Sequence, residues 1–296
     1  MPSLPIAQSE AGSVPVPGPL RKPALQITEI RPSKGFFDRD LIEVWRFGEL
    51  LLVLTRRDIQ ILYKQAALGA AWAIIQPMFA VAIFSVVFGR FAKIPSGGLP
   101  YPLFAFAAVL PWTYFAEAVR RSATVMVSDA ELIRKVYFPR LVMPLAGVIA
   151  PLLDFALAFA VLLFLMAWYG VAPGWQMLFA APLILLTTLL ALSVGLWLGP
   201  INVRFRDIKH TLPFLIQVWM YASPVVYPLS LVPESFRWVY SLNPMVGVIE
   251  GFRWAVLASG TPDPQAIATS FTLVAALLFG GLVFFRHMEQ TFADTI

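Results

Sequence analysis

Residues 141–199 read LVMPLAGVIAPLLDFALAFAVLLFLMAWYGVAPGWQMLFAAPLILLTTLLALSVGLWLG, and Asp154 is the only charged side chain among them. Two apolar runs, 141–169 and 176–199, flank a turn-forming stretch that holds Gly170, Pro173 and Gly174. Each run exceeds the roughly 20 apolar residues that a helix needs to cross a bilayer. Similar runs at about 66–89, 101–119, 211–228 and 268–285 bring the expected spans to six; the run at 211–228 is the weakest, interrupted by Pro213, Pro224 and Pro228. The pattern predicts an all-α integral membrane protein with six transmembrane helices per subunit.

Composition agrees. Across 296 residues, 59% are hydrophobic and 13% charged, against roughly 25% charged in a soluble domain, and the mean hydropathy is +0.75. Soluble enzyme folds are thereby mostly excluded. The absence of cysteine rules out disulfides, thiolate metal sites and a cysteine nucleophile, and His210 and His287 are too few for a His-rich metal centre.

Around the spans the chain divides into four expected parts. Residues 1–35, with seven prolines and few large apolar side chains, read as a disordered cytosolic tail with no signal-peptide pattern. Residues 36–65 contain an amphipathic stretch, Trp45 to Gln65, in which Phe47, Leu50, Leu51, Leu54 and Ile61 share a helical stripe and Arg46, Arg56, Arg57 and Lys64 lie off it. That pattern predicts an interfacial helix, although Asp58 falls on the apolar side. Residues 66–286 read as the transmembrane domain and 287–296 as a cytosolic C-terminal tail. Between the fifth and sixth spans, 229–267 is broken by Pro233, Pro244, Pro262 and Pro264 yet contains an apolar run, Pro244 to Leu257. It reads as a re-entrant helical hairpin, which a membrane tolerates when protein or a water-filled cavity covers its backbone.

Orientation follows from Lys and Arg. Nine precede residue 66, five lie in 117–140, three in 200–210, and Arg286 follows the last span; the alternate loops hold Arg90, Lys93, Arg237 and Arg253. By the positive-inside rule both termini are cytosolic, so the net charge of +5 calls for no nucleic acid.

Little in the chain offers chemistry. Asp154 is an intramembrane carboxylate without an ionisable neighbour in sequence; a packing or dimer contact is the expected role, with ion coupling the alternative. Asp38-Arg39-Asp40 has the spacing of a divalent-ion site in nucleotide-sugar transfer, but a solvated charge cluster produces the same pattern. A membrane-embedded glycosyl or phosphoryl transferase built on those two carboxylates is a remote rival. No Gly-x-x-x-x-Gly-Lys-Ser/Thr phosphate loop occurs, so any nucleotide hydrolysis belongs to another chain.

The cytosolic segment between the second and third spans is more informative. Ser128-Asp129-Ala130-Glu131 fits a capping box, predicting a short helix that begins at Ser128 and stops before Pro139. Leu132 with Val136, and Ile133 with Tyr137, are i, i+4 pairs, and Arg134 and Lys135 add positive charge. Such a ridge docks in a partner's groove or lies on the membrane surface. The loop Asn202 to His210 is a topogenic anchor or a contact for a partner or anionic headgroups. Aromatic side chains gather in the second span (Trp112, Tyr114, Phe115), the fifth (Trp219, Tyr221, Tyr227) and the hairpin (Trp238, Tyr240, Phe252, Trp254). They serve as interfacial anchors or line a path on which sugar rings stack.

Several ordered blocks resemble one family: Leu110-Pro111-Trp112-Thr113-Tyr114-Phe115, Lys135-Val136-Tyr137-Phe138-Pro139-Arg140, the loop Asn202 to His210 running into Pro213-Phe214, Ser223-Pro224-Val225-Val226-Tyr227-Pro228, and Leu242-Asn243-Pro244-Met245 followed by Ile249-Glu250-Gly251-Phe252-Arg253-Trp254. The chain from about Trp45 to Arg286 is similar to permease subunits of type-2 ABC exporters of O-antigen, capsular polysaccharide or teichoic acid. The resemblance implies a homodimer in the bacterial plasma (inner) membrane, paired with two copies of a P-loop ATPase that binds ATP and Mg, with no cofactor in this chain. A polyprenyl-linked polysaccharide would pass through the permease interface. The resemblance assigns ATPase coupling to Arg57, Lys64, Ser128, Glu131, Leu132, Ile133, Arg134, Lys135, Val136 and Tyr137. It places Glu250 and Arg253 in an outer hairpin at the exit, and the channel aromatics among Trp112, Tyr114, Phe115, Trp219, Tyr221 and Tyr227. An exporter of a drug or small lipid shares this architecture and is the nearer rival.

Overall fold

The computed structural model of the chain describes residues 46–64, 71–205, 207–258, 260, 263–289 and 292, and among them the fold is all helical. The tail 1–35 and the Asp38-Arg39-Asp40 cluster lie outside the described residues, as does the start of the interfacial stretch at Trp45.

The first helix, α1 (Gly48–Lys64), has Glu49 in its first turn and Lys64 in its last, matching the helix macrodipole at both ends. Phe47, Leu50, Leu51 and Leu54 turn inward, as the stripe predicts, but Ile61 is exposed. Next come α2 (Ala71–Phe84), continued by a π-helical turn over Ser85–Phe91, and α3 (Tyr101–Ser128). The short α4 (Ala130–Lys135) precedes α5 (Val142–Ile149) and α6 (Leu152–Trp168). A 3-10 turn, Trp175–Phe179, opens α7 (Ala180–Arg204); α8 (Ile208–Tyr221), α9 (Glu234–Ser241), α10 (Pro244–Leu257) and α11 (Pro264–Glu289) complete the order.

Among the described residues, five helical stretches are long and apolar enough to cross a membrane: Ala71–Phe91, Tyr101–Ser128, Val142–Trp168, Trp175–Arg204 and Pro264–Glu289. The expected span at 211–228 is not a continuous helix. α8 stops at Tyr221 and the chain turns through Ser223 to Tyr227, where Pro224 and Pro228 lack the amide donors that would extend it. Its 14 residues rise about 21 Å, short of the roughly 30 Å hydrocarbon core. The run 141–169 is also split, at Ala150-Pro151. Asp154 therefore sits in the first turn of α6, where the helix dipole favours a carboxylate, rather than midway along a helix.

α3 is the central element. It packs against α2, α5, α6, α7, α8 and α10, while α11 lies on α7 and α10, and α1 on α5. Close crossings depend on small residues, as in membrane bundles generally. At Gly195 of α7 an added Cβ would sit 2.6 Å from the Ser122 Cβ of α3, and at Gly147 of α5 one would sit 3.0 Å from the Ser122 amide nitrogen. By contrast, α2 and α11 leave most of their apolar surface outward, including Trp72, Phe79, Phe91, Phe271 and Phe279. The boundary placed at 286/287 falls inside α11, and Phe292 beyond it is buried.

Candidate functional site

At one end of the bundle, α1 is tied to the junction of α3 and α4. The Arg57 guanidinium donates to the Asp58 carboxylate at 2.9 Å and 3.1 Å and, as an ion pair, to Asp129. Partial burial alone would lower the Arg57 pKa, but the hydrogen bonds it donates to Asp129 and Asp58 outweigh it and hold the group above its ordinary value. Arg57 therefore stays cationic at any physiological pH. Asp58, out of place on an apolar stripe, has its explanation here: its carboxylate is paired with Arg57. A cavity of about 260 Å³ opens beside the pair, lined by Arg57, Asp58, Ile61, Arg121, Ser128 and Asp129 among others. Lys64 is exposed at the end of α1. One residue earlier, the Tyr63 hydroxyl donates to the Asp154 carboxylate. That contact ties α1 to α6 as well as to the α3–α4 junction.

The capping box does not form. Ser128 ends α3 with its hydroxyl donating to the Val125 carbonyl at 3.2 Å, and Glu131 accepts from Lys135 at 2.9 Å instead of turning back toward the helix start. Asp129 occupies the N-cap position without a side-chain cap, because its carboxylate is engaged by Arg57. The i, i+4 ridge is divided too. Leu132 and Ile133 pack partly against the core, whereas Val136 is already extended and, with Tyr137 at 71% exposure, projects outward. Glu131, Arg134 and Lys135 are exposed alongside them. The outward surface is thus Val136, Tyr137 and the charged face of α4.

At the opposite end, the segment after α8 is clamped between the start of α3 and α10. Arg253 of α10, only 3% exposed, pairs with Glu250 at 2.8 Å and donates to the carbonyls of Phe104, Pro224 and Val225. Its guanidinium also lies 3.8 Å from the centre of the Phe104 ring. The other face of the clamp is Glu250, which accepts the Leu229 amide at 3.2 Å, while the Tyr101 hydroxyl donates to the Val226 carbonyl at 2.6 Å. Asn243 caps α10 by accepting the Met245 amide at 3.0 Å, accepts the Trp219 indole N–H at 2.8 Å, and donates to Ala222 and Ser223. Two sequence blocks, 223–228 and 242–254, therefore meet as a single polar hub.

The aromatic candidates separate by burial. Trp112, Tyr114 and Phe115 are core residues: Tyr114 donates to the Val148 carbonyl and contacts Thr188, while Phe115 stacks edge-on with Trp219 at 5.0 Å. As lining for an open path these three are corrected, because their side chains point into the packing between α3 and its neighbours, while the open strip of α3 carries Thr113, Glu117 and Arg120 instead. Trp219 is half-buried, Tyr221 is exposed, and the Tyr227 hydroxyl meets that of Tyr240 at 2.8 Å.

Contacts not foreseen from sequence carry much of this geometry: those of Tyr63 and Tyr101, of Asp129 as an ion-pair partner, and of Asn202, whose amide donates to the Ala123 carbonyl at 3.1 Å. Only Asn243, immediately before Pro244, had a local signal, since Asn is favoured at an N-cap and Pro just inside a helix.

Comparison with known proteins places this geometry. Residues 49–257 match the ABC-2 type transporter family. The chain is 29% identical over 258 residues to the O-antigen export system permease protein RfbA of Myxococcus xanthus, covering 86% of this chain and 98% of that protein. It is 26% identical over 249 residues to RfbA of Klebsiella pneumoniae, covering 84% and 95%. Against the polysialic acid transport protein KpsM of Escherichia coli it is 26% identical over 245 residues, covering 79% and 91%. The family match runs from α1, with its Arg57 contact, to the last residue of α10, with its Arg253 clamp, and so the chain is a multi-pass membrane protein that belongs to the ABC-2 type transporter family.

Proposed function

We propose that two copies of this chain form the channel of an ATP-driven exporter in the plasma (inner) membrane. It moves a lipid-linked polysaccharide, of O-antigen, capsule or teichoic acid type, from the cytosol to the outer side. The observation that carries this is the near full-length similarity to O-antigen export permeases and to a polysialic acid transport protein. ATP and Mg are bound by two copies of a separate P-loop ATPase, consistent with a sequence that has no phosphate loop.

The two ends of the bundle support six crossings with both termini cytosolic. The Arg57–Asp129 contact puts α1 at the same end as α4, and an Arg140–Glu289 contact puts the end of α11 there too. α8 begins just after Asn202, which bonds to Ala123 near that end, and its following turn reaches Tyr101 at the other. α8 with residues 222–226 thus traverses the bundle as α3 does, and α9 and α10 form an outer hairpin. Twelve of the 14 residues of α10 are buried, as a re-entrant helix requires.

ATPase docking falls to Val136, Tyr137, Arg134, Lys135 and Glu131, with Leu132 and Ile133 anchoring α4 and Arg57 joining it to α1. Of the aromatic side chains, Trp219, Tyr221 and Tyr227 remain to line the path. ATP binding draws the ATPase subunits together and moves α4, and the permease interface changes width because the two states differ in their contacts.

Deleting the gene in its host and comparing surface polysaccharide with polyprenyl-linked glycan inside the cell tests this. Loss at the surface with accumulation inside is expected. Unchanged surface glycan, in a host without a redundant exporter, points to a drug or small-lipid exporter of the same architecture.

A further inference from the structure

Arg140, in the loop that joins α4 to α5, is bound to the far end of the chain. Its guanidinium donates to the main-chain carbonyl of Glu289, the last residue of α11. The Glu289 carboxylate is 3.9 Å away. The same guanidinium lies 5.6 Å from the centre of the Phe292 ring. Phe292 is 1% exposed and meets Phe285 of α11 edge-on at 5.8 Å. The last carbonyls of a helix lack intrahelical donors and carry the negative end of its dipole. A forked cation is chemically matched to that position.

The opposite end of α11 is held as closely. A Cβ added to Gly247 of α10 would lie 2.5 Å from the Ala266 carbonyl oxygen of α11, so the two backbones are in direct contact. Between these ends, Gly280 and Gly281 admit Trp197 of α7, whose indole N–H donates to the Leu277 carbonyl at 3.1 Å. α11 has 26 residues and is therefore a rod of about 39 Å. One end is gripped by the loop behind α4, and the other abuts the helix that carries Arg253 and Glu250.

We propose that Arg140 is a positioning residue for transport: it fastens the α4–α5 loop to α11, so that displacement of α4 is carried along α11 to the outer hairpin. The inference rests on the proposal above that α4 meets the ATPase. A helix-capping arginine also stabilises the fold, so the test needs a readout that stability alone would not move.

The complete chain, co-purified with its ATPase and reconstituted in proteoliposomes, provides one. Glu234→Cys on α9 supplies a single cysteine in a chain that has none, and an environment-sensitive maleimide dye there reports the outer hairpin. In the wild-type background, ATP with vanadate is expected to shift the dye signal. Arg140→Ala is expected to shrink that shift about fivefold or more, the low end of measured coupling between linked sites, while the complex stays assembled and still hydrolyses ATP. Arg140→Lys, which keeps the charge, should restore part of it. A full shift in assembled Arg140→Ala overturns the inference alone. No ATP-dependent shift in the wild-type complex overturns the ATPase proposal, and the inference with it. If Arg140→Ala fails to accumulate, Phe292→Ala is measured instead: a partial loss supports the inference and an unchanged shift overturns it.

Discussion

Arg57 and Asp129 are 72 residues apart in sequence and joined through one guanidinium. Both are partly exposed, and such pairs stabilise a fold by only about 0–1 kcal/mol, so their importance lies in what they connect. Arg57→Ala is expected to leave the thermal midpoint of the purified protein nearly unchanged while lowering glycan exported per ATP hydrolysed. A midpoint that collapses would make the contact structural instead. Arg253 is the opposite case. It is buried, and its removal strands Glu250 and three carbonyls, a loss of about 3–5 kcal/mol for a broken buried pair. Arg253→Ala should therefore lower the thermal midpoint sharply in detergent, and an unchanged midpoint would mean that the 223–228 segment is held by other contacts. Asp154 illustrates what spacing cannot reveal: its partner, Tyr63, lies 91 residues away on a different helix.

Elements differ in how openly the sequence announces them. α7 is an unbroken apolar run without charge until Arg204, and its limits were readable within a few residues. α8 was not, because hydropathy continued past Tyr221 although Pro224 and Pro228 had already ended the helix. α4 was found for a reason that failed. The Ser-x-x-Glu spacing was real, yet Ser128 was used to finish α3 and Asp129 was taken by Arg57. Tertiary contacts overrode a local signal. The division of the ridge also changes which substitutions are informative: Leu132 packs against the core, so a charge there would report folding, whereas Val136 and Tyr137 are outward. The double variant Val136→Asp/Tyr137→Asp is expected to insert and dimerise normally but to lose co-purification with the ATPase and, with it, export. Normal co-purification and export would remove α4 as the docking element.

For the whole molecule, the membrane class and the family were legible, since hydropathy and ordered sequence blocks survive without knowledge of contacts. The site was legible only in outline. Arg57 and the Glu250–Arg253 pair could be named from sequence but their contacts, with Asp129 and with the 223–228 segment, could not; which aromatic side chains face outward depends on packing around α3, and three of six proved to be core. Six crossings follow if α8 and its turn pass from one end to the other. Introducing Thr211→Cys and Glu234→Cys separately and labelling spheroplasts with a membrane-impermeant maleimide tests this: Glu234→Cys should react and Thr211→Cys only after permeabilisation. Reaction of both, or of neither, would place them on one side and remove α8 as a crossing. Export itself is measured most directly with the permease and its ATPase in sealed proteoliposomes loaded with polyprenyl-linked glycan extracted from the host. ATP, but not a non-hydrolysable analogue, is expected to drive sustained transfer of lectin-detectable glycan across the bilayer; ATP hydrolysis without any glycan transfer would contradict the proposed export of polysaccharide.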